Sequence, residues 1–441
     1  MRLILLSGGS GKRLWPLSSD ARSKQFLKVL MNEDGQYESM VQRIWRQLGK
    51  AGLSENTHIV ANILQREMLL NQLGNQVRVI VEPARRDTFP AISLAVTYLL
   101  EHEKVDPEKP IVVLPVDSYV EDNFFENINL LGRVLEQTDF EMALIGAKPT
   151  YPSSKYGYIS VGKQIGPYYE VSRFTEKPTE SAAEKFIQQG ALWNCGIFAF
   201  RGKLITKLLR KRGLPHHYID LLHYYDELPK ISFDYAVVER LNCMVVVPYA
   251  GYWKDLGTWN TLTDELGSPV IGNGKLDHAC HNTHVLNELS LPVKVMGISN
   301  AVIAVSSDGI LVADKIASQR LKDMLTHEST RITYEEKFWG WYRVLDVAVN
   351  ADREVWTRKL WIYAQRFYSE TITNYQTEVI TVIAGKGTID LDGEQMTLQE
   401  GDVVTIQNRK LRTIFATTDM ECIQQLVSNG GSHDFSGNAD P

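Results

Sequence analysis

The chain has 441 residues, of which 44% are hydrophobic and 23% charged, a composition typical of a soluble globular protein. Its length predicts two or three domains, and its formal net charge of -6 provides no basic field for nucleic acid or an anionic membrane. The four cysteines form no CxxC pair, and no apolar segment has the length of a membrane span. We therefore expect a cytoplasmic protein with small buried cysteines and with neither nucleic acid nor membrane as a partner.

Apolar strands alternate with amphipathic helices from the start of the chain. This order predicts an α/β domain with a doubly wound, mostly parallel sheet of the Rossmann-like kind. Ligands bind such sheets at the carboxyl ends of the strands, so Gly8–Lys12, Glu82 and Asp117 should face one crevice. The predicted strands are 2–7, 58–62, 77–83, 110–117 and 142–149, and the predicted helices are 38–48, 62–73, 90–103 and 124–137.

The pattern changes in the second half of the chain. Three strand-like segments follow, and after WKDLGTW at 253–259 a short helix leads into the glycine-rich connector 268–275. Residues 285–325 predict short strands and then a helix at 317–325, and the pattern beyond about 357 is all-β with hairpin turns. The predicted domains are 1–267, 268–334 and 335–430, followed by a disordered tail at 431–441.

A glycine-rich and basic segment follows the first strand. It matches neither G-x-x-x-x-G-K-[ST] nor G-x-G-x-x-G. Glycines allow a close approach of the backbone to a ligand, and cations attract phosphate, so the segment is typical of a triphosphate cradle. On composition alone, a solvated glycine turn with surface cations remains the alternative. The residues concerned are Gly8, Gly9, Ser10, Gly11, Lys12, Arg13 and Lys24.

Seven segments in chain order resemble motifs of the sugar-phosphate nucleotidylyltransferases. The variants LWPLS and KQFL are similar to the mannose-1-phosphate guanylyltransferase branch of that family. The segments are GGSGKRLWPLS with SKQFL, VEPARRDTFPAI, LPVDS, FTEKP, WNCGIFAF, ISFDYAVVER and WKDLGTW.

The resemblance implies a reaction in which a sugar 1-phosphate oxygen attacks the α-phosphorus of a nucleoside triphosphate and pyrophosphate leaves. Arg13 and the Gly8–Gly11 amides would hold the β- and γ-phosphates, and Lys24 would reach toward the α-phosphate. Asp117 and Asp255 would bind Mg²⁺, a hard cation that prefers oxygen ligands.

The resemblance also implies two further binding regions. Lys177 would hold the sugar phosphate beside Glu176, while Asn194 and the Gly157 amide would contact sugar hydroxyls. The base would be bordered by Glu82, Pro83, Arg86 and Asp87. Taken alone, Asp117 could be a helix cap, Asp255 a turn residue and Lys177 a solvated lysine.

Several positions depart from the family pattern. Ser118 stands where His is usual, and Lys12 stands where Thr is common. Asp87 and Phe89 stand where the guanylyl branch has Asn and Ala. Because both belong to the segment expected at the base or ribose, the guanine preference is the least constrained part of the assignment.

The second half continues the resemblance. Residues 297–325 look like the left-handed β-helix of the branch and the segment after it, and 331–346 resemble the opening of its cupin-type isomerase domain. Glu378 is retained, but the expected histidines are replaced, and 360–427 contain no histidine. We therefore expect a degenerate cupin-like barrel used for packing, oligomerisation or regulation. The residues at the histidine positions are Thr373, Asn374 and Tyr375.

The segment DHACHNTH at 277–284 offers a second candidate metal site. Its His278, Cys280, His281 and His284 could bind Zn²⁺, but their spacing matches no known ligand motif. His216 and His217 are expected on a surface loop.

The sequence thus predicts an enzyme that makes an NDP-sugar, most simply GDP-mannose from GTP and mannose 1-phosphate. It predicts a homo-oligomer, most simply a dimer. One alternative keeps the chemistry with another triphosphate or another sugar or polyol phosphate. A second alternative is a non-catalytic protein that binds a nucleotide sugar, and a third is a bifunctional isomerase, which the missing histidines disfavour.

Overall fold

The computed structural model of the protein describes residues 1–9, 12–19, 22–325, 333–350, 353–369, 377–407 and 412–429. The chain divides into two compact units. The first comprises Met1–Ser10 and Gln25–Gly257, and the second comprises Gly11–Lys24 and Thr258–Pro441. No helix among the described residues is long and apolar enough to cross a membrane. All four cysteines are free, and Cys195 and Cys422 are buried.

The first unit is built from strands β1–β13 and helices α1–α8. The strands are β1 Arg2–Leu6, β2 Leu30–Met31, β3 Tyr37–Glu38, β4 Thr57–Asn62, β5 Arg78–Glu82, β6 Pro110–Pro115, β7 Ser118–Val120, β8 Met142–Ala147, β9 Tyr158–Ile165, β10 Tyr168–Thr175, β11 Leu192–Arg201, β12 Met244–Tyr249 and β13 Trp253–Asp255. The helices are α1 Met40–Lys50, α2 Ile63–Leu73, α3 Thr88–Glu101, α4 Phe124–Gln137, α5 Glu180–Gln188, α6 Gly202–Lys211, α7 Tyr218–His223 and α8 Phe233–Ala236.

Nine of these strands form one sheet in the order β5-β4-β1-β6-β11-β8-β12-β10-β9. Strands β10 and β11 are antiparallel to their neighbours, and the other seven run in the same direction. The predicted Rossmann-like, mostly parallel sheet is therefore confirmed as a mixed sheet with seven strands in one sense.

Helices cover both faces of this sheet. Leu3 and Leu5 of β1 face the apolar core beneath α1, α2 and α4, whereas Ile4 faces the core beneath α3, α6 and α8. All three side chains are fully buried. Burying a leucine or isoleucine contributes roughly 1.5–3 kcal/mol, so the alternation of apolar residues in the strands holds the two helical layers in place.

Local capping signals set the helix ends. Ser39 and Gln42 form a capping box at α1, and Asn62 and Gln65 form another at α2. The predicted helix 124–137 has the bounds of α4. Helix α3 begins two residues before the predicted start, because Asp87 caps it by accepting a hydrogen bond from the Thr88 amide at 2.8 Å.

The second unit begins with a parallel β-helix. One row of parallel pairing joins β14, β16 and β18, a second joins β15 and β17, and a third is the bridge between His281 and Ser299. The chain visits the three rows in turn, which defines successive coils, and the hand of the coil stays a prediction. The predicted helix at 317–325 is a 3-10 turn, Ala317–Arg320, followed by α10. The elements are α9 Trp259–Thr263, β14 Val270–Gly272, β15 Gly274–Leu276, β16 His284–Asn287, β17 Val293–Val295, β18 Ala301–Ser306, β19 Gly309–Asp314 and α10 Leu321–Met324.

The second unit ends in an all-β region, as predicted. Its two antiparallel sheets have the orders β20-β21-β22-β29-β24-β27 and β23-β28-β25-β26 and share one apolar core. The cupin-like assignment stays a prediction, and the tail 431–441 lies outside the described residues. The strands are β20 Tyr334–Lys337, β21 Gly340–Asn350, β22 Arg353–Ile362, β23 Phe367–Tyr368, β24 Thr377–Ala384, β25 Gly387–Leu391, β26 Glu394–Leu398, β27 Val403–Gln407, β28 Arg412–Ala416 and β29 Met420–Asn429.

Candidate active site

The glycine turn after β1 lies at the carboxyl edge of the first-unit sheet. The Ser7 backbone amide donates to Val60 O at 2.9 Å, and the buried side chain of Gln25 donates through Nε2 to Ser7 O at 2.6 Å. These two hydrogen bonds fix the end of the strand. Gly9 has a φ of +105°, a backbone conformation that favours glycine. A methyl group at Gly8 or Gly9 would meet no atom within 4 Å, which leaves room for a ligand beside the turn. Ser10 and Gly11 lie outside the described residues.

The two predicted metal ligands are brought together by a short antiparallel ribbon. Strand β7, directly after Asp117, pairs with β13, and the register places Asp255 opposite Ser118. The Leu256 amide donates to Asp117 O at 3.3 Å, which ties the two segments together. Both aspartates are half-buried. Two hard carboxylates at one edge of the sheet fit a divalent cation that also takes phosphate oxygens and water as ligands.

The four residues predicted to bind the sugar phosphate form one cluster. The Asn194 amide donates to Gly157 O at 2.8 Å. Lys177 Nζ donates to Glu176 Oε1 at 2.8 Å, and a methyl group on Gly157 would lie 2.5 Å from Glu176 Oε2. Lys177 has a φ of +46°, a strained conformation for a lysine. The cluster combines an ammonium group, which suits a phosphate, with oxygen acceptors, which suit hydroxyl groups.

Two further carboxylates belong to this cluster and were not among the predicted site residues. Asn194 Nδ2 donates to Asp234 Oδ1 at 2.7 Å, and the Glu176 amide donates to Glu239 Oε1 at 2.8 Å. Burial and the neighbouring Glu176 carboxylate raise the pKa of Asp234 to about 7. Burial also raises the pKa of Glu176, against the opposing effect of Lys177. Asp234 and Glu239 both lie in the segment ISFDYAVVER, so the family motif already contained the signal for them.

The residues predicted to border the base occupy the loop between β5 and α3. Glu82, the last residue of β5, is 4% exposed and accepts a hydrogen bond from Tyr225 Oη at 2.9 Å. Burial raises the pKa of Glu82. Arg86 Nη1 donates to Leu228 O at 3.4 Å, so this arginine stabilises the loop. Pro83 and Asp87 are exposed, and Asp87 adopts a φ of +68°.

Phe89, one of the departures from the family pattern, lies in the core instead of at the ligand edge. Its side chain is fully buried, and the guanidinium carbon of Arg212 lies 4.7 Å from the centre of its ring. The substitution therefore affects packing beneath α3, whereas the neighbouring Asp87 remains accessible.

The three predicted phosphate-binding cations, Lys12, Arg13 and Lys24, belong to the second unit. Lys12 and Arg13 stand in the 3-10 turn Lys12–Leu14, where Arg13 is exposed and Lys12 half-buried. Lys24 begins the 3-10 turn Lys24–Phe26 and is half-buried.

In the C-terminal β region, the retained carboxylate of Glu378 forms an ion pair with a buried arginine. Arg412 Nε lies 2.7 Å from Glu378 Oε2, and the two side chains are 2% and 6% exposed. Gln424 Nε2 donates to Glu378 Oε1 at 2.5 Å. Thr373, Asn374 and Tyr375 lie outside the described residues.

Within the parts of the chain that the structure describes, no group of three or more His, Cys, Asp or Glu side chains is arranged to hold a metal ion. In the segment 277–284, Cys280 Sγ donates to Asp277 Oδ1 at 3.1 Å. Burial lowers the pKa of His284 to about 4. His217 is exposed and lies 2.9 Å from Glu101, in agreement with its predicted surface position.

Comparison with known proteins identifies the class to which this fold and site belong. A family model described as Nucleotidyl transferase matches residues 2–267, more than half of the chain. The chain therefore belongs to the nucleotidyl transferase family, as the sequence motifs predicted, and is a nucleotidyltransferase.

Individual relatives match most of the chain. It is 29% identical to mannose-1-phosphate guanylyltransferase from Klebsiella pneumoniae, over 90% of this chain and 89% of the relative. It is 32% identical to the xanthan biosynthesis protein XanB from Xanthomonas campestris pv. campestris (strain B100), over 78% of each chain. The crystal structure named mannose-1-phosphate geranyltransferase, from Thermus thermophilus, is 29% identical, with a TM-score of 0.63 and coverage of 74% of this chain and 98% of that chain.

Proposed function

We propose that this enzyme transfers GMP from GTP to mannose 1-phosphate, giving GDP-mannose and pyrophosphate. The observation that carries the proposal is the arrangement of Asp117 and Asp255 on one short ribbon at the carboxyl edge of the sheet. The names of the relatives support mannose 1-phosphate and GTP as the substrate pair. A GDP-sugar is a donor for polysaccharide synthesis, which agrees with the name of the xanthan relative.

The reaction needs positioning and charge neutralisation, and it needs no covalent enzyme intermediate. Asp117 and Asp255 would hold Mg²⁺, which when bound supplies neutralisation of the charge on the phosphates. Lys177 holds the phosphate of the sugar, whose oxygen attacks the α-phosphorus on the side opposite the leaving pyrophosphate. Glu176 accepts hydrogen bonds from sugar hydroxyls, and Asn194 also contacts these hydroxyls, which fixes the attacking group.

The triphosphate is bound by the glycine turn and by the cations that follow it in sequence. The leaving pyrophosphate is bound by the Gly8 and Gly9 amides and by the cations Lys12, Arg13 and Lys24. Ser10 and Gly11 are proposed to bind it too. The base lies against the loop formed by Glu82, Pro83, Arg86 and Asp87. Backbone donors in this position would be directed at charge that develops on the leaving group.

Three further proposals concern the whole chain. The catalytic domain is 1–267, the β-helix segment 268–334 and the cupin-like domain 335–430, and the last two serve packing, assembly or regulation. The enzyme acts as a dimer. It works in the cytoplasm, in keeping with its free cysteines and its nucleotide substrate.

The decisive experiment measures pyrophosphate release over a matrix of four nucleoside triphosphates and several sugar 1-phosphates, with Mg²⁺. We expect the highest kcat/KM for GTP with mannose 1-phosphate. A higher value for another pair would establish the alternative substrates. An absence of turnover with every pair, together with binding of GDP-mannose in calorimetry, would establish a non-catalytic binding protein.

A further inference from the structure

The basic segment, defined as residues 12–19 and 22–24, is packed with the C-terminal half of the chain. It directly follows the glycine turn in sequence and carries Lys12, Arg13 and Lys24, yet it is grouped with the second unit. The hydrogen bonds of Trp15, Pro16 and Arg22 to other parts of the chain lead to residues of that unit.

The first anchor of the basic segment is the dipeptide Trp15-Pro16. Trp259 Nε1 donates to Trp15 O at 3.1 Å, and Ser306 Oγ donates to Pro16 O at 2.7 Å. Gly309, the first residue of β19 after the turn from β18, has a φ of +148°. A methyl group there would lie 2.6 Å from Trp15 Cζ2, so a glycine is required for the indole ring to pack against this turn.

The second anchor is Arg22. Its Nη1 donates to Glu288 Oε1 at 2.7 Å and to Oε2 at 2.9 Å, and its guanidinium carbon lies 4.8 Å from the centre of the Tyr334 ring. The Arg22 and Glu288 side chains are only 16% and 26% exposed. Partial burial strengthens the attraction of such a pair, and the aromatic ring adds a cation–π contact. Arg343 Nη1 donates to Glu288 O at 3.2 Å, which joins this anchor to the C-terminal β region.

We propose that Arg22 and Glu288 are positioning residues for the nucleoside triphosphate, through which the C-terminal unit holds the basic segment in its binding conformation. The inference rests on the proposed function. An unanchored segment would have to be ordered by each incoming nucleotide, at a cost in conformational entropy. The two anchors fix the segment beforehand, so the entropy cost of ordering it does not reduce the affinity for the nucleotide.

The test is the isosteric variant Glu288→Gln, which keeps the packing and removes the charge. We expect KM for GTP to rise about tenfold, as for the loss of one well-ordered charged contact. We expect KM for mannose 1-phosphate, and kcat at saturating GTP, to stay within about twofold. The matched control is Glu421→Gln, because Glu421 lies 2.7 Å from Lys359 in the same unit and is 23% exposed. That control should leave both KM values unchanged.

Exchanging the charges of Arg22 and Glu288 distinguishes the loss of their ion pair from a general loss of folding. Arg22→Glu should raise KM for GTP more than Glu288→Gln does, and the double variant Arg22→Glu/Glu288→Arg should recover at least part of the loss. The inference is overturned by an unchanged KM for GTP in Glu288→Gln, by equal losses for both substrates, or by a double variant no better than Arg22→Glu. An inactive wild-type enzyme would instead contradict the proposed function.

Discussion

Asp234 is a carboxyl group whose surroundings oppose its charge. Its pKa is raised from the ordinary 3.8 to about 7 by burial and by Glu176. Between these values the folded protein binds more protons at this side chain than the unfolded chain, so stability falls as pH rises from about 4 to about 7. The penalty is fully present above that window and absent below it.

We predict that Asp234→Asn makes stability less dependent on pH. The amide resembles the neutral carboxyl and can still accept the hydrogen bond from Asn194. At pH 8 the variant should be more stable than the wild type by on the order of 2 kcal/mol, and near pH 4 the difference should vanish. Thermal unfolding between pH 4 and 8 measures this, with Asp226→Asn, an exposed site, as the control. A difference that does not grow with pH would contradict the assignment.

Asp117 and Asp255 carry the proposed metal site. Asp117→Asn and Asp255→Asn should each lower turnover about a hundredfold or more, because neutralisation of the phosphates in the transition state is lost. EDTA should abolish turnover and Mg²⁺ restore it in the wild-type enzyme. Asp122→Asn is the control, since Asp122 pairs with Lys50 at 3.1 Å on the surface. A near-normal rate in either site variant would remove that residue from the metal site.

Lys177 and Arg13 serve different substrates in the proposed mechanism. Lys177→Ala should mainly raise KM for mannose 1-phosphate, and Arg13→Ala should mainly lower kcat/KM for GTP, because each loses a cation beside a different phosphate group. Initial-rate measurements with each substrate varied in turn distinguish the two effects. If Lys177→Ala affected only the GTP parameters, the assigned roles would be reversed.

At the scale of elements, the sugar cluster is formed where β9 begins, β10 ends and β11 begins. Gly157 precedes β9, and the space that its side chain would need is occupied by the Glu176 carboxylate. We predict that Gly157→Ala displaces this carboxylate and raises KM for the sugar phosphate about tenfold or more, with a smaller effect on GTP. Gly49→Ala in α1, where a methyl group meets nothing within 4 Å, should leave both parameters unchanged. An unchanged KM in Gly157→Ala would place the sugar elsewhere.

The elements themselves were largely predictable because their signals are local. Helix α4 and the apolar strands of the sheet follow from periodicity, and α1 and α2 carry capping residues in sequence. The pairing of β7 with β13 and the hydrogen bond from Asn194 to Asp234 join residues far apart in the chain, so no local pattern predicts them. The position of Phe89 beneath Arg212 was missed for the same reason.

At the scale of the whole molecule, the question is whether the C-terminal β region adds a second activity, sugar-phosphate isomerisation. A metal-dependent isomerase needs several ligands for its cation and a base near neutral pKa. Glu378 is instead paired with Arg412, whose guanidinium takes the place that a metal ion would have beside this carboxylate. The absence of histidine over 360–427 was visible in the sequence. The ion pair was not, because its partners are 34 residues apart and on different strands.

We predict that the full chain does not interconvert fructose 6-phosphate and mannose 6-phosphate, with or without added Zn²⁺. A coupled assay for mannose 6-phosphate formation tests this, and metal analysis of the purified protein should find no stoichiometric transition metal. Robust isomerisation that is lost in Glu378→Ala would contradict this interpretation of the region.

The anchoring of Arg22 by Glu288 also has a consequence for protein synthesis. The two residues are separated by 266 positions. Ribosomes add roughly 5–20 residues per second, so roughly 13 to 50 seconds pass between the synthesis of the arginine and that of its partner. During this interval the nascent chain can complete the strands and helices of the first sheet, but its basic segment lacks the surfaces that order it. In the proposed scheme, nucleotide binding begins only after Glu288 has been synthesised, about two thirds of the way along the chain. A chain released earlier would carry the nucleotide-binding motifs without the residue that anchors Arg22.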